Sequence, residues 1–437
     1  MRAAAPEASC HQLSAAMLRA TRTHFQQLKF NLYLMKPISL IALALFAHAA
    51  SAQSKFESPG RVETKLFIPA DWMSGPSHSV GATADNDRLN NTYFLYSGDD
   101  AWGVTTGIAL RARIREIYAI EKLQEMKKGQ EFAKAMANAG QQKVEGVVGI
   151  VTNPLGTLGR IPSGASRFFG RIGEGLKGGT TEGEGNLVQN VSGLQKAKVA
   201  LAVKLGVSPY SYNQELQKEL TVNARAMALG GLVVGAATAA VGGPAGDVIT
   251  LLNVNQTLQQ TLVNSTPDDL RILNRKQLFA LGVTRENADQ ILMHPWYSPW
   301  TETIMIDALS NCGVDPTAFL GQASNALTEQ DAIYFERLAQ VLAAYSMNKA
   351  QLRTIRTENG VVSAQDKNGT VVVPLSCDYA IWSERNAGRL TDFANLMQGD
   401  PDVKGLTLWV DGKISDRGRQ ELKSRKIDLA TDVLDKP

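Results

Sequence analysis

The chain has 437 residues, 45 Lys+Arg against 42 Asp+Glu, and is 44% hydrophobic and 20% charged. This composition excludes a disordered, collagen-like or disulfide-dense chain and is ample for a hydrophobic core. The length fits two or three domains.

The first 52 residues read as separate from the fold. Residues 35–52 have the three parts of a secretory signal: Lys36 as a short positive start, an apolar run over 38–47, and Ala50-Ser51-Ala52 as a small-residue cleavage site before Gln53. The run is too short to span a bilayer. Residues 1–34 carry Arg2, Glu7, Arg19, Arg22 and Lys29 without an apolar run, and read as an upstream extension with Met35 as the start. The sequence thus predicts an exported protein, periplasmic or secreted. No Cys follows the cleavage site, so no lipid anchor is expected. Five basic residues and one acid lie in this leader, which leaves 40 basic against 41 acidic residues and turns the net +3 into −1. A nucleic-acid partner loses its electrostatic support.

Residues 53–104 read as an irregular and β segment. Val62-Glu63-Thr64-Lys65-Leu66-Phe67-Ile68 alternates until Pro69, and Thr92-Tyr93-Phe94-Leu95-Tyr96 is a second strand. Residues 105–262 read as a helical, Gly-rich region. Leu110, Ile114 and Ile117 recur at helical spacing in an amphipathic helix over 106–138, with Arg111, Arg113 and Arg115 on its solvated side. Over 145–186 glycines interleave with apolar residues, and Arg160, Arg167 and Arg171 carry all the charge between Glu145 and Glu174. Both a Gly-broken loop packed on the protein and a segment lying on an anionic membrane surface fit. Residues 226–246 are uncharged and place Gly231, Gly235 and Ala239 at four-residue spacing, a packing face for close helix approach. A buried helical hairpin and membrane insertion both accommodate it.

Residues 263–354 read as a helical domain. Thr266-Pro267-Asp268-Asp269 is a helix start, Gly282 ends that helix, and Thr284 caps the next. Further helices are expected near 301–310 and 329–345. Residues 355–437 read as a small α/β module. Asp366-Lys367-Asn368-Gly369 is a hairpin turn, 385–397 a helix, Leu406-Thr407-Leu408-Trp409-Val410 a strand ending in Asp411-Gly412, and Ser415 or Asp416 caps a last helix. The fold class is therefore predicted as mainly α: a helical body with Gly-rich segments, an irregular/β N-terminal segment and a small α/β C-terminal module.

Candidate chemistry is sparse. Beyond the leader the histidines are His78 and His294, which thins the options for zinc sites and His-based triads, and no cofactor motif stands out. His294-Pro295-Trp296-Tyr297-Ser298-Pro299-Trp300 is the most unusual local cluster. His294 could serve as a base beside an aromatic wall, or the segment is a Pro-ordered turn whose aromatics cap a core. Cys312 and Cys377 could pair in an oxidising compartment or stay as buried thiols.

Four phrases occur together: Arg113-Ile114-Arg115-Glu116, Asn153-Pro154-Leu155-Gly156-Thr157, Val207-Ser208-Pro209-Tyr210-Ser211, and the tail Trp409…Gly412…Ser415. Over most of the chain beyond the leader they resemble an uncharacterised family of exported bacterial proteins. The resemblance implies an address and carries no activity. The expected function is an exported envelope protein with a non-enzymatic binding or membrane-associated role, its partner a membrane surface or an envelope protein. The alternatives are a hydrolase-like enzyme using the His294 region and a secreted membrane-perturbing protein.

Overall fold

The computed structural model describes residues 55–129, 185–228 and 254–434. The leader, the cationic Gly-rich stretch and the face of Gly231, Gly235 and Ala239 lie outside the described residues. Contacts divide the chain into Met1–Phe56 and Glu57–Pro437, and every element named below belongs to the second.

The N-terminal part is an antiparallel sheet of β1 (Arg61–Glu63), β2 (Ser74–Gly75), β3 (His78–Val80), β4 (Thr83–Asn86), β5 (Asn91–Ser97) and β6 (Asp100–Thr105). Its order is β1-β4-β5-β3-β2, with β6 along the other side of β5. Tyr93 and Leu95 point from β5 into a core with Ile68, Trp72 and Val80, and α1 (Gly107–Lys127) closes that core with Leu110, Ile114 and Tyr118. One turn further along α1, Ala119 and Leu123 pack on α2 (Gly185–Lys204) and α3 (Gln214–Ala228) through Leu201, Leu216 and Leu220.

The helical middle comprises α4 (Gln256–Asn264), α5 (Pro267–Ala280), α6 (Arg285–Leu292), α7 (Pro299–Cys312), α8 (Thr317–Ala323) and α9 (Glu329–Asn348). Its ends are set by local chemistry. Thr266 and Asp269 form a reciprocal capping box on α5, Thr284 caps α6, Ser298 caps α7 and Thr328 caps α9. Each cap satisfies an amide that the helix leaves without a partner.

The C-terminal part is a mixed sheet in the order β11-β10-β9-β8-β7. β7 (Leu352–Glu358), β8 (Val361–Asp366) and β9 (Thr370–Ala380) form an antiparallel meander. α10 (Glu384–Gln398) then returns the chain to β10 (Gly405–Ile414), parallel to β9, and α11 (Asp416–Ser424) returns it to β11 (Asp428–Ala430). The strand period sorts the faces. Val372 joins the core under α9, while its neighbour Val371 packs on Phe393 and Met397 of α10.

These sheets correct the expected fold class. Helix makes up 51% of the described residues and strand 21%, so the fold mixes α and β rather than being mainly α. The irregular/β segment is a six-stranded sheet and the expected hairpin belongs to a five-stranded sheet. The helical middle and the C-terminal strands also share one core, in which Ile306, Phe319 and Leu342 cluster with Ile355, Val362 and Val372. Among the described residues no helix is long and apolar enough to cross a membrane.

Candidate functional site

The two sheets meet where β9 passes β5. Asn86 Nδ2 donates to the Tyr379 carbonyl (3.0 Å). The amides of Asn91 and Gly107 donate to the Asp378 carboxylate at 3.0 and 2.9 Å. Burial raises the Asp378 carboxyl above its ordinary range, against the pull of those two amides. Beside this junction opens a cleft of about 1250 Å³, walled by β6, α1, the turn at Ser211–Asn213, the start of α9 and the bend in β10.

That bend is a bulge. The β9–β10 register shifts between Asp411 and Lys413, and Gly412 between them has φ +127°. It turns Asp411 inward, where Arg337 Nε donates to its Oδ2 at 2.8 Å and Ser376 Oγ at 3.3 Å. Both members of this ion pair are 8% exposed. Arg337 Nη1 also donates to Gln340 Oε1 at 3.2 Å.

At the far end of the cleft Glu116 is held on both oxygens. Arg113 donates to Oε2 at 2.6 Å and Asn213 at 2.9 Å, while Ser211 Oγ donates to Oε1. Glu329, the first residue of α9, shares this end. Burial pushes its carboxyl up to about 7; Arg113 opposes the shift and Glu116 adds to it.

The cleft's charge is one-sided. Nine carboxylates line it against four cations. The cations are largely committed: Arg113 to Glu116, Arg337 to Asp411, and Lys413 to the Leu66 carbonyl at 2.7 Å and the Phe67 ring at 5.5 Å. Asp100, Glu329 and Asp432 also line it, in no ion pair among the described residues. Trp102, 43% exposed, forms an aromatic rim.

Of the candidate residues His294, Cys312 and Cys377, only Cys377 lines the cleft. His294 sits at the turn between α6 and α7, away from the cleft. Its Nδ1 accepts the Trp296 amide at 3.4 Å and its ring meets Tyr297 edge-on at 5.1 Å. Tyr297 Oη donates to Ala323 and Trp300 Nε1 to Leu262, so the aromatics are satisfied parts of the core. Cys312 and Cys377 are both buried free thiols, in different core clusters. Burial pushes Cys312 up to about 12 and Cys377 well above its ordinary value, which keeps both protonated. Among the described residues no cluster of His, Cys, Asp and Glu is arranged to hold a metal ion.

Three of the four quoted phrases converge here: Arg113 and Glu116, Ser211, and Gly412 all line the cleft. The fourth lies outside the described residues. Compared with known proteins, the chain matches no family model, no curated protein and no solved structure.

Proposed function

We propose that this chain is an exported, non-enzymatic envelope protein that binds a cationic ligand in the acidic cleft. The observation that carries the reading is the excess of nine carboxylates over four cations around one large opening, with most of those cations already paired. A concave wall of one sign raises the local concentration of opposite charge. The Trp102 rim adds a π face for an ammonium or guanidinium group. A nucleophilic mechanism finds little support, because the cleft thiol of Cys377 is held protonated and His294 stands elsewhere. The export part of the reading rests on the leader at 35–52 and on the resemblance.

Calorimetric titration of the full chain with spermine tests the binding. Saturable binding that weakens with added salt and in Asp432→Asn with Glu329→Gln is expected. Heats indistinguishable from dilution would overturn it. Mass spectrometry of the protein from cells tests export, with Gln53 the expected first residue and an intact Met1 the contrary result.

A further inference from the structure

We propose that the ligand is an extended basic peptide, which adds as a strand to the free edge of β6. This rests on the acidic-cleft reading and names the ligand's backbone as well as its charge.

The first observation is that β6 pairs with β5 alone and is exposed at five of its six positions. The second is the pattern of the cleft wall. Residues 102–109 line it without a gap. In a strand, successive side chains point to opposite faces. The run from Trp102 to Thr105 takes residues of both alternating sets, so the cleft reaches around the edge of β6, where amides and carbonyls project, as well as over the face that Trp102 shares with its partner Leu95. The third is that this edge is unguarded. Proteins blunt exposed edges with Lys, Pro, bulges or short strands. β1, β2 and β11 are three, two and three residues long. β7 has a register irregularity and carries Arg353 and Arg356. β6, Asp-Ala-Trp-Gly-Val-Thr, is six residues long and has none of these devices. Gly103 at its middle is not required by its own sheet, since a Cβ there would meet only Thr92 Cγ2 at 3.4 Å. A glycine inside a strand commonly marks close approach by another backbone.

Charge complementarity decides which peptide fits. Asp100 at one end of β6, Glu121 and Glu215 across the cleft, and Glu329 favour Arg or Lys side chains. Strand addition uses main-chain hydrogen bonds for affinity and side-chain pockets for selection. Here the selecting groups are carboxylates and the Trp102 ring.

The test compares four probes on the full chain: a nonapeptide alternating Arg with Thr and carrying four arginines, two versions of it N-methylated at every second amide, one in each register, and spermine. Calorimetry gives affinity, and amide hydrogen exchange reports on residues 100–105. The expected result is that one N-methylated register loses about tenfold or more in affinity, as removal of one or more strand hydrogen bonds should. The parent peptide, but not spermine, should slow exchange across β6. If both N-methylated peptides bind like the parent, or if protection falls on β7 or β11 instead, strand addition at β6 is overturned while the acidic cleft stands. If neither spermine nor peptide binds, both readings fall.

Discussion

The α-carbon of Gly412 lies so close to Cys377 that a Cβ built on it would stand 1.7 Å from the Cys377 carbonyl oxygen. The obstacle is backbone, so no rotamer relieves it, and φ at Gly412 is +127°, where side chains are rarely tolerated. Gly412→Ala is expected to cost at least ~3 kcal/mol, from backbone strain and displacement of β10 together. Gly405→Ala, whose Cβ would meet nothing nearer than 3.9 Å in the same strand, is the control and should stay close to wild type. Urea denaturation of both variants checks the contrast; equal midpoints would show that β10 yields at the bulge.

The Arg337–Asp411 pair is buried on both sides. Removing one partner strands the other charge, at a typical cost of about 3–5 kcal/mol. Asp411→Asn should therefore destabilise strongly. The double variant Arg337→Met with Asp411→Leu should recover most of the loss, because an apolar pair has no desolvation cost to offset. Thermal melts of the single and double variants decide it. A double variant less stable than Asp411→Asn would mean that the pair holds the junction by more than its charges.

Glu336 should make stability fall as pH rises. Burial pushes its carboxyl up to about 8 from an ordinary 4.5, so the folded chain keeps a proton that the unfolded chain has released. Its contribution is fully present below pH 4.5 and is lost as pH rises toward 8, at up to ~1.4 kcal/mol per pH unit for this one group. Glu302, fully buried on α7 with its carboxyl raised well above the ordinary range by desolvation, acts in the same direction. Denaturation midpoints at pH 5, 6, 7 and 8 should decline for the wild type, and less steeply for Glu336→Gln. A parallel slope in the variant would remove Glu336 as a cause.

Glu329 should make ligand binding respond to pH in the opposite sense. Its carboxyl, raised to about 7, is neutral below that pH and adds a negative charge to the cleft above it. Affinity for a ligand of fixed positive charge, such as an arginine peptide, should rise between pH 6 and 8 by roughly 1.5- to 5-fold, the worth of one partly exposed charge pair. Glu329→Gln should flatten that rise while still binding. Calorimetry at the two pH values reads it directly, and an undiminished rise in the variant would place the titrating group elsewhere.

The helices of the middle were legible because their punctuation is local. Thr266 with Asp269, and Thr284, announce helix starts within four residues, and the structure uses both. β6 was not legible, because a strand exposed on both faces has no apolar alternation to read. β9 runs to Ala380 through Pro374, which the sequence rules treat as a stop. The structure tolerates it because β8 pairs with β9 only at Val371 and Val372, so beyond that point one side of β9 has no ladder bond from β8 to lose. The cleft escaped sequence reading for a different reason. Glu329 and Asp432 join Asp100 and Glu116 from remote parts of the chain, so no spacing along it brings the four together. His294 and its aromatics stand out along the chain because their proximity is local, and their role is packing.

The bonds that join the sheets also order events in time. Asn86 and Tyr379 are 293 positions apart, and Asn91 and Asp378 are 287 apart. At the other edge of the junction Glu57 accepts from the Trp382 amide and from Ser415 Oγ, across 325 and 358 positions. The opening strands therefore cannot reach their final bonding until the closing third of the chain has been synthesised. Contacts this distant in sequence make folding slow, because the intervening loop must be closed before they contribute. A nascent chain of this kind stays without its last β partners throughout synthesis.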